Sequence, residues 1–453
     1  MSSLKALPEF SAAMERVARL MELGDPRWEP ELAAARAVAA ALPAEYQGEA
    51  EFRLHLADHV VALRDNDLPR ARRHLGAALA LLAADPSADP TRFGLLDALC
   101  AVHLRAENTS AAADTLRLME ALIWRGPQRE VILRSREGDV ALAAHDYRAA
   151  QAAYREAVEA ARGHAELAEY LGAALVSLAT AQAHAGDADT AERTAAQARA
   201  VVCDNANDLA GLHEVDLVVA RIRGDLPAQR QAYAAYRRLL AHRGQFVHRV
   251  LHDEAAAGRA LEEQAAGRHP QAASLYRELA ARAGHTTNRA LALLRAAAAT
   301  WDAGEPEEAG ALLDEAAEIL RDSPHLTLRA SVEVYRALFL ASLPHVSIPL
   351  VRALLPQVQA AAIVLRHLSF QVDSAPARRE FADYWAREAI EVCCHLAFEI
   401  GDNRGVADMI DLVAATPAVR VAGPSLLVSA PPRTGGLQEA YRVAAADYGV
   451  LMS

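Results

Sequence analysis

One pattern constrains this chain more than any other. A polar turn is followed five residues later by a small residue, then by a bulky one four residues on, then by a third three further. The turns begin near Asn66, Glu107, His145, Gly186, Gly224, Gly267 and Gly304, 37 to 43 residues apart. The first stripe position holds Ala71, Ala112, Ala150, Ala191, Gln229, Ala272 and Ala309, with Ala228 beside Gln229 as an alternative. The second holds Leu75, Leu116, Tyr154, Ala195, Tyr233, Tyr276 and Leu313; the third holds Ala78, Met119, Ala157, Ala198, Tyr236, Leu279 and Ala316. Spacings of four and three put these residues on one face of a helix. Gly138, before the turn at His145-Asp146, lets a preceding helix come close, and Tyr154 fills what space remains. A helical hairpin of this kind cannot bury both apolar faces alone, so a run of copies implies stacking.

The pattern resembles the tetratricopeptide repeat over residues 50–325, most clearly at 131–160, 253–282 and 290–318. Its period, near 40 residues, exceeds the family's usual length of about 34. The expected fold is all-α: a right-handed superhelical solenoid of antiparallel helix pairs. Four regions follow: an N-terminal helical cap at 1–48, the repeat array at 49–325, C-terminal helices at 326–415, and a Pro/Gly-rich linker with a short terminal helix at 416–453. Within them, Ser11 is placed to cap a first helix running to Leu23, and Pro356 to interrupt or kink a helix over 349–365. Ala377 to Ile400 reads as one long helix. The turn Gly401-Asp402 matches the earlier repeats.

Alanine supplies much of the 53% hydrophobic content, while aromatics are only 5%, which suits close-packed helices rather than strands. The net charge of −12 argues against a phosphate backbone as partner. The start lacks a signal-peptide core, and the apolar stretch 343–368 carries two arginines, two histidines and three prolines, so neither secretion nor a membrane span is expected. Four scattered cysteines, with only Cys393-Cys394 adjacent, fit a cytoplasmic protein.

A second resemblance lies in Arg378–Trp385, Ala397–Asp402 and Val406–Asp411. These stretches are similar to the helices that precede the caspase-like protease domain of bacterial CHAT proteins. The family's catalytic motifs have no counterpart in 437–453. The resemblance therefore implies a regulatory helical module that meets such a protease in trans, not a protease.

Catalytic signatures are otherwise missing. No Walker, dinucleotide or Gly-x-Ser-x-Gly motif occurs, and no carboxylate pair is set for acid–base work. His55/His59 and His248/His252 are four apart, a metal-compatible spacing, but no third ligand is identifiable. Cys393-Cys394-His395 reads as buried thiols on an apolar helix. No enzyme activity, cofactor or metal is expected.

The expected working surface is the inner side lined by the first helix of each pair. There stand Arg53, Leu56, Val60 and Arg64; Asp97 and Arg105; Val176 and His184; Glu214, Val218 and Arg221; Leu261 and Gln264; and Arg295, Ala298 and Trp301. Arginines spaced by apolar residues suit a protein segment carrying acidic groups. The expected role is an adaptor or regulator. The alternatives are the CHAT-regulating module and a small-molecule sensor.

Overall fold

The computed structural model describes residues 3–452 apart from 23–24, 66, 83–87, 107, 123–124, 145, 203–204, 244–248, 284–285, 322, 324, 343–346, 370–381, 415–426, 429–436 and 449–450. Eight antiparallel pairs come first: α1 (Ser3–Glu22) with α2 (Trp28–Ala40), α3 (Ala44–Arg64) with α4 (Leu68–Leu81), α5 (Asp89–Arg105) with α6 (Thr109–Ala121), α7 (Pro127–Ala143) with α8 (Tyr147–Ala161), α9 (Ala168–His184) with α10 (Ala188–Val201), α11 (Ala206–Ile222) with α12 (Leu226–Arg243), α13 (Arg249–Ala265) with α14 (His269–Arg282), and α15 (Thr286–Asp302) with α16 (Pro306–Leu320). Then follow α17 (Leu326–Ala341), α18 (Ile348–Leu368), α19 (Arg387–Glu399), α20 (Asn403–Ala414) and α21 (Gln438–Tyr448). The one strand pairing among the described residues joins Leu427–Val428 to Leu451–Met452 in parallel.

Each helix from α1 to α18 packs on its neighbours in sequence, so the chain is a solenoid of stacked hairpins. The stripe explains why. All three stripe positions in all seven repeats are buried, none more than 9% exposed. Gln229 itself takes the first position in its repeat, not Ala228. It tolerates burial because its amide donates to the Ala220 carbonyl.

The turns are equally regular. Asp67, Asn108, Asp146, Asp187 and Asp225 each accept a hydrogen bond from the backbone three residues on, at 2.9 to 3.1 Å. Each such cap contributes about 1 kcal/mol to the second helix of its pair. Arg268 and Glu305 stand at the same place without a side-chain cap. Gly186, with φ at 83°, makes the left-handed step that ends α9.

The odd helices from α5 to α11 form one row. α5 touches α7, α7 touches α9, and α9 touches α11. No even helix from α2 to α16 has a comparable contact with the next even one among the described elements. The odd row is therefore the short, inner side of the curve, and the even helices form the outer side.

Some expectations needed correcting. Ser11 does not begin the first helix; α1 starts at Ser3 and includes Pro8, leaving Ser11 to accept a bond from Arg53 at 3.2 Å. Pro356 does not interrupt α18, which runs through it. The stretch expected as a helix from Ala377 lies partly outside the described residues, and its described part opens with a π turn at Ala382–Ala386 before α19. α18 is long and apolar enough to cross a membrane, yet it serves as the hub of the C-terminal region, packing on α17, α19 and α21. The terminal helix α21 lays Leu437, Ala440, Tyr441, Ala444 and Tyr448 into that cluster. Arg329 holds its end by donating to the Asp447 carbonyl, with the Tyr448 ring 5.1 Å below the guanidinium.

The last hairpin departs from the others. Its turn is the expected one, with Gly401 at φ 74° and Asp402 capping the Gly405 amide at 2.9 Å. The stripe would then bury Ile410, but Ile410 is 57% exposed and Met409 and Leu412 are buried instead. α20 is rotated by one residue, about 100°, because it leans on α18 and α19 rather than on a following repeat.

Candidate protein-binding face

α9 and α11 come closest of the inner helices for a visible reason. A side chain at Gly211 would put its Cβ 2.5 Å from Val176 Cγ1, so only glycine permits this approach. The approach brings His184 to Glu214, Nε2 to Oε1 at 3.3 Å. Arg221, two turns along α11 from Glu214, donates to the Tyr233 hydroxyl at 2.7 Å and lies 6.0 Å above that ring. Burial would raise the Glu214 pKa, but His184 and Arg221 outweigh it and hold the carboxyl below its usual range. Three of the residues expected on this face thus form one polar line across two helices.

The other expected residues are spread along the row. Arg53 pairs with Glu49 at 2.7 Å, and the Arg64 guanidinium lies 5.0 Å over the Trp28 ring. Arg105 is partly buried, and burial lowers its pKa. Gln264 and Arg295 are half-buried, and neither has a side-chain partner among the described residues. Trp301 stacks on Phe339 of α17, ring centroids 4.3 Å apart and planes 15° from parallel. Val60, an apolar side chain, is 42% exposed.

The strongest inner-face network was not legible in the sequence beyond Asp97. Arg136 of α7 reaches Asp97 of α5 at 2.5 Å and Asp139 at 2.7 Å. The Tyr154 hydroxyl donates to Asp139 at 2.6 Å. Burial alone would lower the Arg136 pKa, but Asp139 and Asp97 together raise it above its ordinary value. Tyr154 is raised too, by burial and by the Asp139 charge. Arg136 and Asp139 are three apart on a helix, which is a local signal. Their link to Asp97 spans 39 residues and has none.

Among the described residues no group of three metal-ligating side chains converges. His55 does not turn to His59 but to His74, and His248 and the side chain of His252 lie outside the described residues. Burial pushes the Cys393 thiol well up and the Cys100 thiol to about 11, so neither is a ready thiolate.

No protein-family model matches the chain, and no curated protein matches it. Solved structures do. The apo form of the quorum sensor NprR from B. thuringiensis aligns over 79% of this chain and 97% of its own, at 14% identity and a TM-score of 0.45. Yeast Tom70 aligns over 90% and 91%, at 11% identity and TM-score 0.30. The TPR domain of P58(IPK) aligns over 87% and 100%, at 15% identity and TM-score 0.25.

Proposed function

We propose that this chain is a non-enzymatic scaffold that holds a segment of a partner protein along the inner row from α5 to α15. The observation that carries the reading is the row itself. Its helices pack directly on one another from α5 to α11, and polar groups stand along it from Arg105 through His184, Glu214 and Arg221 to Arg295. Acidic side chains on such a segment would meet Arg295 and Arg221. The reading needs no cofactor, nucleic acid or membrane.

The test uses a photo-crosslinking residue at Val218 in the full chain, with a second at Arg230 on the outer helix α12 as control. Partner capture is expected from Val218 alone. Arg221→Glu combined with Arg295→Glu should cut that capture by at least about tenfold, which corresponds to about 1.4 kcal/mol, while the helical circular dichroism stays. Equal capture from both positions, or capture indifferent to the charge reversals, would remove groove binding.

A second reading has its own observation. Phe398 and Ile410, in the hairpin that resembles the CHAT-associated helices, are 69% and 57% exposed. We infer that this hairpin could meet a CHAT-type protease supplied by another chain. Co-expression with a His/Cys protease encoded beside this gene should give a complex that Phe398→Asp with Ile410→Asp breaks; a protease that never co-purifies rules the reading out.

A further inference from the structure

Several arginines on the outer helices are matched by carboxylates. Arg117 of α6 meets Asp114, Arg199 of α10 meets Asp216, and Arg277 of α14 meets Glu308. The outer helix α4 departs from this. Its span Leu68–Leu81 holds Arg70, Arg72 and Arg73 and no Asp or Glu, in a chain whose net charge is −12. Arg72 and Arg73 are exposed, and neither makes a hydrogen bond or an ion pair among the described residues. The carboxylate nearest Arg70 is Asp65 at 3.9 Å, beyond hydrogen-bond reach.

Nearby acids are occupied. Asp67 caps the Arg70 amide, and Asp58 of α3 is held by Arg36. Both carboxylates of α5 are engaged, Asp89 by Arg92 and Asp97 by Arg136. From Arg70 to Arg73 the helix rises only about 4.5 Å, and the three side chains leave it over an arc of about 160°. The result is a compact cluster of positive charge with no counter-charge of its own.

An apolar end lies next to the cluster. Ala77, Ala80 and Leu81 continue the stripe of Arg70 and Arg73 along α4. Gly76 stands beside that stripe, and a Cβ added there would meet nothing within 4 Å. The surface beyond the arginines is therefore low and open, and it ends at Leu81, which is 43% exposed. From Arg72 to Leu81 the helix rises about 14 Å. An extended chain crosses that distance in about four residues.

We propose that the outer face of α4 is a second docking surface, separate from the inner row, for an extended acidic protein segment with an apolar residue about four positions from its acidic run. The guanidinium forks take the carboxylates in pairs of hydrogen bonds, and Leu81 takes the apolar side chain. Nucleic acid fits less well. A polyanion longer than the cluster would run on over an acidic molecule, and it would leave Leu81 without an apolar partner. With one partner in the inner row and another on α4, the chain could hold two proteins at once.

Fluorescence anisotropy of the full chain with two labelled peptides, Glu-Glu-Glu-Ser-Ser-Leu and its reverse, tests the surface. At least one is expected to bind in about 0.01 M salt and to be released in about 1 M salt, as the Debye length falls from about 30 to about 3 Å. Arg72→Glu with Arg73→Glu should weaken that binding by at least about tenfold. Arg72→Gln with Arg73→Gln, a milder change, should weaken it less but clearly. Leu81→Ser should cost about fivefold. Arg221→Glu with Arg295→Glu should leave the peptide's affinity unchanged, which separates this surface from the inner row. Binding of neither peptide, binding indifferent to both changes at Arg72 and Arg73, or tighter binding of a single-stranded oligonucleotide than of either peptide would overturn the proposal.

Discussion

Replacing Tyr154 with alanine is expected to lower the unfolding free energy by about 3–5 kcal/mol, as for other buried aromatic truncations. Tyr154 is 1% exposed and its ring lies against Gly138, the small residue of α7. A Cβ at Gly138 would stand 2.5 Å from the ring, and the ring cannot swing aside while its hydroxyl is bonded to Asp139. The pair therefore makes a signed prediction. In the native background, Gly138→Ala must separate α7 from α8, an overpacking cost of about 1–3 kcal/mol, which exceeds or offsets the roughly 1 kcal/mol gained in helix propensity. In the Tyr154→Ala background the clash is gone and only the propensity gain is left, so the same substitution stabilises. Urea unfolding of the four proteins measures the coupling. Tyr154→Phe, which keeps the ring and removes the donor, should cost only about 0.5–1.5 kcal/mol. If Gly138→Ala has the same effect in both backgrounds, close approach around Tyr154 is not what joins this hairpin.

How much of this was legible in the sequence depends on distance along the chain. The stripe from Ala71 to Ala316 was readable because it is set by residues three and four apart on one helix. Ile410 shows the limit: the turn at Gly401 matches, but the buried face of α20 is set by α18 and α19, which no local spacing reports. The chemistry of the expected face was less legible. Which arginine stands without a partner depends on contacts within and between the hairpins. Arg53, Arg64 and Arg221 are each engaged by a neighbour, and Arg295 has none among the described residues. Trp301 likewise meets its stacking partner, Phe339, from the next hairpin.

Removal of Arg136 is the other change expected to have a large effect. Its guanidinium stands between Asp97 and Asp139, and all three side chains are about a quarter exposed, 27%, 25% and 26%. Arg136→Met fills a similar volume but leaves two carboxylates facing each other with little water. Breaking a largely buried ion pair from one side costs about 3–5 kcal/mol, chiefly because of the charge left behind. That cause can be separated from simple loss of an attraction. If stranded charge dominates, adding Asp97→Asn and Asp139→Asn to Arg136→Met should recover most of the loss, since neutral amides can bond each other and the Tyr154 hydroxyl. If instead the bridge itself supplies the stability, the triple variant should be as weak as the single one. The recovery also bears on the groove. Asp97 and Arg136 tie α5 to α7 across a repeat boundary, so the single variant should loosen the inner row between those helices, seen as faster amide exchange there, while the hairpin of α7 and α8 remains closed around Tyr154.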